Sequence, residues 1–382
     1  MRAQKYVKPK RLMPLAGMKP LLKTLGGLNT NLMDAFFSDH EQAVLILGAL
    51  LGIAYGAVGQ WSRFCLYRGI EQRFTKTDTG KLHSFALAMA CALLLSQVLV
   101  ELTGIQFSQT HYFQSNPSIP LLILGGVMFG IGMQLANACG ARSLVLLGSG
   151  NLRSLLVLLC IGLSAYMVMS GVFANLRIGL ENLTRISLPS ASVPDALART
   201  GLSSSVSRWS ATLIIAAGLL MYASRSETLR ATPSNWLGAV IIGILISAGW
   251  WITGVVGADD FDPIRLSSLT FVAPIGESLQ YLMLASGMNL SFASVVVLGV
   301  ILGSFGRALL SREFQWQAYD SVGQMQKGIV GGVLMGTGGV LSLGCTLGQG
   351  LSGFSTLAFT SLIALPSIIF GAYISLRVFK SY

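Results

Sequence analysis

Residues 331–350 read Gly-Gly-Val-Leu-Met-Gly-Thr-Gly-Gly-Val-Leu-Ser-Leu-Gly-Cys-Thr-Leu-Gly-Gln-Gly. This is an apolar helical pattern studded with glycine, running into a cysteine and then a polar, glycine-rich turn. The design recurs twice upstream. Gly52 and Gly56 precede Cys65, Gly126 and Gly130 precede Cys139, and Gly332 and Gly336 precede Cys345, each pair standing thirteen and nine positions before its cysteine. A fourth stretch, from Gly238 through Gly243, Gly249, Gly254 and Gly257, ends in Asp259-Asp-Phe-Asp-Pro263 without a cysteine. Internal repeats set architecture, and these four units give an organising pattern in which three carry a thiol. Glycines four apart let two helices approach closely. Apolar helices that break in polar turns resemble the discontinuous helices of transporters, whose half-helix ends converge on a central site.

Composition places the repeats in a membrane. The chain has 382 residues, 53% hydrophobic and 11% charged, too little charge for a soluble domain of this length. Apolar runs near 43–58, 85–104, 118–136, 154–176, 209–223, 236–256, 293–310, 327–343 and 361–379 approach the roughly 20 residues that cross a bilayer. The expected fold is therefore an all-α polytopic membrane protein, with glycine-rich broken or re-entrant helices around a central path. Residues 1–40 form a basic extension, 41–180 a first membrane half with two cysteine units, 181–207 a polar linker, and 208–382 a second half with the degenerate unit and the Cys345 unit. The extension carries Arg2, Lys5, Lys8, Lys10, Arg11, Lys19 and Lys23. It reads as a mobile tail, or as a segment lying on anionic lipid through Leu21, Leu22, Leu25 and Leu28. Its charge favours a cytoplasmic N-terminus, and it lacks the apolar core of a cleaved leader.

The formal charge of +11 fits two roles, cytoplasmic loops or a path for an anion. Nothing points to a nucleic-acid partner or a cofactor. The five cysteines, at 65, 91, 139, 160 and 345, form no CxxC, and His40, His83 and His111 are scattered. A zinc site and a disulfide framework are both disfavoured. Cys91 and Cys160 sit inside apolar runs and read as packing residues. Cys65, Cys139 and Cys345 stand where the three sister helices break. Neutral S–H groups are weak donors and soft, polarizable contacts, suited to a soft sulfur-bearing anion that must also leave; a thiolate would repel it. Arg63, Arg68 and Arg142 are candidates to offset its dehydration. Arg68 and Arg142 follow their cysteines by three, where the third unit has Gly348 and then Gln349. Asn137, Thr346 and Gln349 complete the candidate binding set. Glu101 and Glu277 are the acidic residues near apolar runs, and no chain of carboxylates suggests a proton relay.

At these residues the chain resembles the YeeE/YedE family of membrane proteins, whose understood members import thiosulfate. The resemblance covers about 43–379. It rests on Gly52-Ile-Ala-Tyr-Gly-Ala-Val-Gly-Gln-Trp-Ser-Arg-Phe-Cys65, on Gly125-Gly-Val-Met-Phe-Gly-Ile-Gly-Met-Gln-Leu-Ala-Asn-Ala-Cys139, on 331–350, and on Leu302-Gly-Ser-Phe-Gly306 and Ser311-Arg-Glu-Phe314. It implies a bacterial inner-membrane protein of about thirteen helices, several not spanning, packed around a pseudo-twofold. Thiosulfate would pass along Cys65, Cys139 and Cys345 by transient S–H···S contacts, beside a small cytoplasmic sulfur carrier of the TusA type. The family usually has Gly-Gly-Cys at the second and third sites; here Asn137-Ala-Cys139 and Leu343-Gly-Cys345 stand instead, and bulk at 137 and 343 is expected to narrow or reshape the path. Two other readings remain open on the residues alone. One is a membrane sulfurtransferase or redox protein that forms a cysteine persulfide; the other is a partner-docking subunit with incidental thiols.

Overall fold

A computed structural model describes residues 40–75, 80–199, 201, 203–258 and 264–379. The basic extension up to residue 39 and the acidic run 259–263 lie outside the described residues, with the expectations attached to them.

The described chain is helical throughout. Its first half comprises α1 (His40–Ser62), α2 (Leu66–Thr75), α3 (Gly80–Thr103), α4 (Ile119–Ala136), α5 (Gly140–Gly148), α6 (Leu152–Met169), α7 (Ala174–Thr184) and α8 (Val193–Ala198). Then come α9 (Ser204–Ser224), α10 (Glu227–Ala231), α11 (Pro233–Trp251), α12 (Val272–Leu284), α13 (Phe292–Leu310), α14 (Val322–Leu341) and α15 (Phe359–Phe379). Wider π turns follow α11 at Ile252–Val256 and precede α15 at Gly348–Gly353. Among the described residues there is no strand, only isolated bridges joining Asn151 to Gln317 and Ser192 to Ala358.

Eight of these helical stretches are long and apolar enough to cross a bilayer, so the protein is a multi-pass membrane protein. Their outer faces carry Leu50, Leu163, Ile214 and Leu310, all exposed, as lipid contact requires. Helix starts are fixed by polar caps. Ser118, Asn151, Ser203, Ser291 and Ser321 each accept a hydrogen bond from the backbone N–H three residues on, satisfying a donor that an apolar helix leaves orphaned.

The paired glycines seat helices against each other. A Cβ on Gly52 would run into the Val296 carbonyl and one on Gly56 into that of Val300, so α1 lies parallel on α13. Gly126 faces Ala364 and Ser367, and Gly130 faces Ile368, placing α4 parallel on α15. Gly332 faces Val157 and Cys160, and Gly336 faces Ile161 and Ser164, placing α14 parallel on α6. In all three units a four-residue step on one helix matches a four-residue step on its partner. Cys91 and Cys160 serve this packing: Cys91 Cβ lies against Gly243, and Cys160 Cβ against Gly332.

The polar connection 181–207 is folded onto the body. Ile186 and Leu188 donate backbone hydrogen bonds to Pro117 and Ser115, and Val193 donates to Leu357 while Phe359 donates to Ala191.

Candidate functional site

Each cysteine unit breaks its helix in the same way. Arg63, Asn137 and Leu343 adopt the left-handed conformation, with φ of 50°, 57° and 60°, and each stands two residues before its cysteine. That turn breaks the helix, and a new helical segment begins directly after the thiol: α2 after Cys65, α5 after Cys139, and the Thr346–Gly353 segment after Cys345. The cysteines therefore sit at three helix N-termini, whose free N–H groups and dipole favour negative charge. The Gly348 N–H donates to Cys345 Sγ at 3.3 Å. The N–H groups of Arg68 and Arg142 stand in the same relation to Cys65 and Cys139, without completing a side-chain cap at Cys139.

All three thiols are buried. Cys65 and Cys139 interact side chain to side chain, and Thr346, next to Cys345, reaches Cys139. Thr346 Oγ1 is buried there without a completed hydrogen bond. The thiols do not form a trio that could hold a metal ion, and no other such cluster occurs among the described residues. Their arrangement is a line from Cys345 through Thr346 to Cys139 and Cys65.

The structure brings some of the other candidate residues to this line and turns others away. Arg142 donates from Nη1 to the Gly59 carbonyl at 2.9 Å, tying α5 to the last turn of α1. Arg68 points outward, its side chain 49% exposed and paired with Glu71 at 2.8 Å. Arg63 pairs with Glu313 at 3.5 Å. Gln349 is fully buried but committed: Nε2 donates to the Ser342 carbonyl at 2.6 Å, and Oε1 accepts from Ser361 Oγ at 2.6 Å. Asn137 is exposed and shapes the turn.

A cavity of about 880 Å³ opens beside Leu343 and Gly344, at the Cys345 end of the line. Its walls include His111, Arg177, Arg265, Thr270 and Glu277. Burial pushes the His111 imidazole down to about 4, the neighbouring Arg265 adds to this, and a hydrogen bond to the Leu343 carbonyl opposes it. His111 is thus neutral near pH 7, and Arg177 and Arg265 supply fixed positive charge to the vestibule.

A family model described as sulphur transport matches residues 61–374, a span that contains all three site cysteines. The chain belongs to that family. Its similarity extends to two curated relatives, each named thiosulfate transporter TsuA. The Escherichia coli protein is 25% identical over 355 residues, covering 87% of this chain and 93% of the relative. The Spirochaeta thermophila protein is 29% identical over 335 residues, covering 85% and 96%. The resemblance read from the glycine–cysteine units is borne out.

Against that family background, Tyr55 is a residue the cysteine motif did not reveal. It is buried, lies within electrostatic reach of Cys65, Cys139, Cys345 and Arg142, and packs on Phe271 with ring centroids 5.3 Å apart. A signal existed in the repeat: the residue before the second glycine of each unit is Tyr55, Phe129 or Met335, all nearly fully buried. Of the three, Tyr55 alone carries a donor.

Proposed function

We propose that this protein takes up thiosulfate, or a closely related sulfur-containing anion, across a bacterial inner membrane. The anion passes along neutral thiols at Cys345, Cys139 and Cys65 without covalent chemistry. The observation that carries this reading is the line of three buried cysteines at matching breaks of three sister helices. Family membership and relatives named as thiosulfate transporters support it. Soft, weak contacts at successive stations suit a cargo that must be released. Arg142 and the helix N-termini offset part of its lost hydration. The cytoplasmic acceptor would be a TusA-type sulfur carrier.

The direction follows from charge. The connections on the face away from the vestibule carry Arg68, Arg73, Arg153, Arg225, Arg230 and Arg312, against Glu71, Glu227, Glu313 and Asp320. The vestibule face balances Arg177, Arg185, Arg199 and Arg265 with Glu41, Glu181, Asp195 and Glu277. Short cation-rich connections stay in the cytoplasm, so the vestibule faces outward and the anion meets Cys345 first. The basic extension argues for the opposite orientation of α1, but its positive charges end at Lys23, about seventeen residues before the helix and at the edge of the range over which the rule counts. A reporter enzyme active only outside the cytoplasm, fused after Tyr382, should be inactive; activity would reverse the assignment.

Uptake of radiolabelled thiosulfate into proteoliposomes containing only this protein tests the function. Cys65→Ala, Cys139→Ala and Cys345→Ala should each cut uptake sharply, while Cys91→Ala and Cys160→Ala stay near wild type. Equal loss from all five would sink the role of the repeats. The neighbouring Cys65 and Cys139 are what a sulfurtransferase reading would rest on; a persulfide found by mass spectrometry after thiosulfate exposure would favour it.

A further inference from the structure

The third unit lacks the arginine that follows the cysteine by three in the other two. Gly348 stands there, and its space is occupied. A Cβ on Gly348 would lie 2.6 Å from Thr270 Oγ1, 3.2 Å from Thr270 Cβ and 3.4 Å from Tyr112 Oη. The volume an arginine stem would need is thus taken by two hydroxyl groups arriving from distant parts of the chain. Thr270 lines the vestibule. Tyr112 is 1% exposed, and its buried Oη lies against the Thr270 side chain without completing a hydrogen bond. A buried hydroxyl that completes no hydrogen bond is unfavourable, and a ligand accepting from it would relieve that. Tyr112 is also rigidly held. Its carbonyl accepts from Thr360 Oγ1 at 2.7 Å, and its ring packs edge-on against Trp250 and tilted against His111. The Gly348 N–H is already spent on Cys345 Sγ at 3.3 Å, so polar recognition at this station falls to side chains.

Resting on the transport reading above, we propose that the Tyr112 and Thr270 hydroxyls are the substrate-recognising donors of the Cys345 station. They stand at the register that Arg142 holds in the second unit and bind the oxygen-bearing end of the sulfur anion as it leaves the vestibule for the first thiol. The chemistry suits an entrance. A neutral pair offers two directed donors without a fixed charge, so the anion is recognised and then released toward Thr346 and Cys139. Burial holds the Tyr112 phenol above its ordinary value, so it stays a protonated donor.

The test is concentration-dependent thiosulfate uptake into proteoliposomes with wild type, Tyr112→Phe, Thr270→Val and Thr270→Ser, each checked to melt no lower than wild type. Tyr112→Phe and Thr270→Val should each raise the half-saturating concentration about ten-fold, with the maximal rate within about two-fold of wild type because the thiol line is intact. Thr270→Ser, which keeps the hydroxyl, should behave as wild type. Wild-type half-saturation in both deletion variants would overturn the proposal, as would a Thr270→Ser variant as impaired as Thr270→Val. If Thr270→Val does not fold, Tyr112→Phe decides alone, since it removes a single oxygen. A wild-type protein without uptake would overturn the transport reading and this assignment with it; wild-type uptake with unaltered variants overturns only the hydroxyl pair.

Discussion

Replacing Gly332 by alanine probes the glycine pairs directly. Gly332 lies in α14, thirteen residues before Cys345, with α6 packed on it. A Cβ there would sit 2.7 Å from Cys160 Cβ and 2.9 Å from the Val157 carbonyl oxygen. Carbon–carbon contacts settle at about 3.5–4.0 Å, so α6 must retreat by about an ångström at that point. Overpacking of this kind costs about 1–3 kcal/mol, while alanine in a helix interior returns about 0.5–1 kcal/mol relative to glycine. Gly323, in the first turn of the same helix, faces open space, so Gly323→Ala carries no clash and part of the gain. The two variants should therefore differ by about the overpacking cost, 1–3 kcal/mol. Thermal unfolding of the detergent-solubilised proteins, followed side by side by circular dichroism, reads this difference. Gly332→Ala should melt below wild type or level with it, and clearly below Gly323→Ala. Adding Cys160→Gly to Gly332→Ala removes the opposing Cβ and should restore part of the loss, though the Val157 carbonyl remains. Equal melting of Gly332→Ala and Gly323→Ala would refute close backbone packing as the reason for the glycine.

Tyr55→Phe removes one hydroxyl from a buried side chain within electrostatic reach of all three thiols; a hydrogen bond to an anion is worth about 1.5–3 kcal/mol, so, on the transport reading, thiosulfate uptake efficiency should fall at least about ten-fold, and wild-type kinetics would exclude Tyr55 from contact with the anion. His111 titrates near 4 in the folded protein against about 6.5 in an unfolded chain. Between those values the unfolded chain takes up a proton that the folded one refuses, so the stability this residue supports is intact above about pH 6.5 and is lost as pH falls toward 4. The melting temperature of wild type should thus drop more steeply from pH 6.5 to 4.5 than that of His111→Gln, and equal slopes would exclude the effect.

The thirteen-and-nine spacing was legible because one physical need, two backbones touching at successive turns, was met three times with the same residues. The cysteines were legible for a similar reason: each follows a helix break at a fixed distance. The donors were not. Arg68 and Arg142 share a register in sequence, yet Arg68 turns outward to Glu71 while Arg142 turns inward to the Gly59 carbonyl. Glu71 lies on Arg68's own helix, where the second unit has Val145, while the Gly59 carbonyl that holds Arg142 comes from another element, which periodicity within a unit cannot reveal. Tyr112 and Thr270 are harder still, since they reach Gly348 from connections far away in the chain and their relation to it exists only after folding.

The departures from Gly-Gly-Cys show how a sequence difference divides once its backbone is known. Positions 137 and 343 both adopt the left-handed conformation, so glycine there answers a backbone requirement before any question of room. Asparagine tolerates that region, whereas leucine is held in it at a cost of about 1–2 kcal/mol. The side chains then part company. Asn137 is exposed, so its bulk narrows nothing along the thiol line, while Leu343 lines the vestibule beside Gly344. Of the two substitutions, the one at 343 bears on the passage. It places an apolar, strained side chain on the vestibule wall beside Cys345, where its carbonyl also holds His111. On the proposed reading, selectivity among sulfur anions would be set at the vestibule end of the line, where Leu343 and Thr270 line the wall and Tyr112 lies behind Thr270.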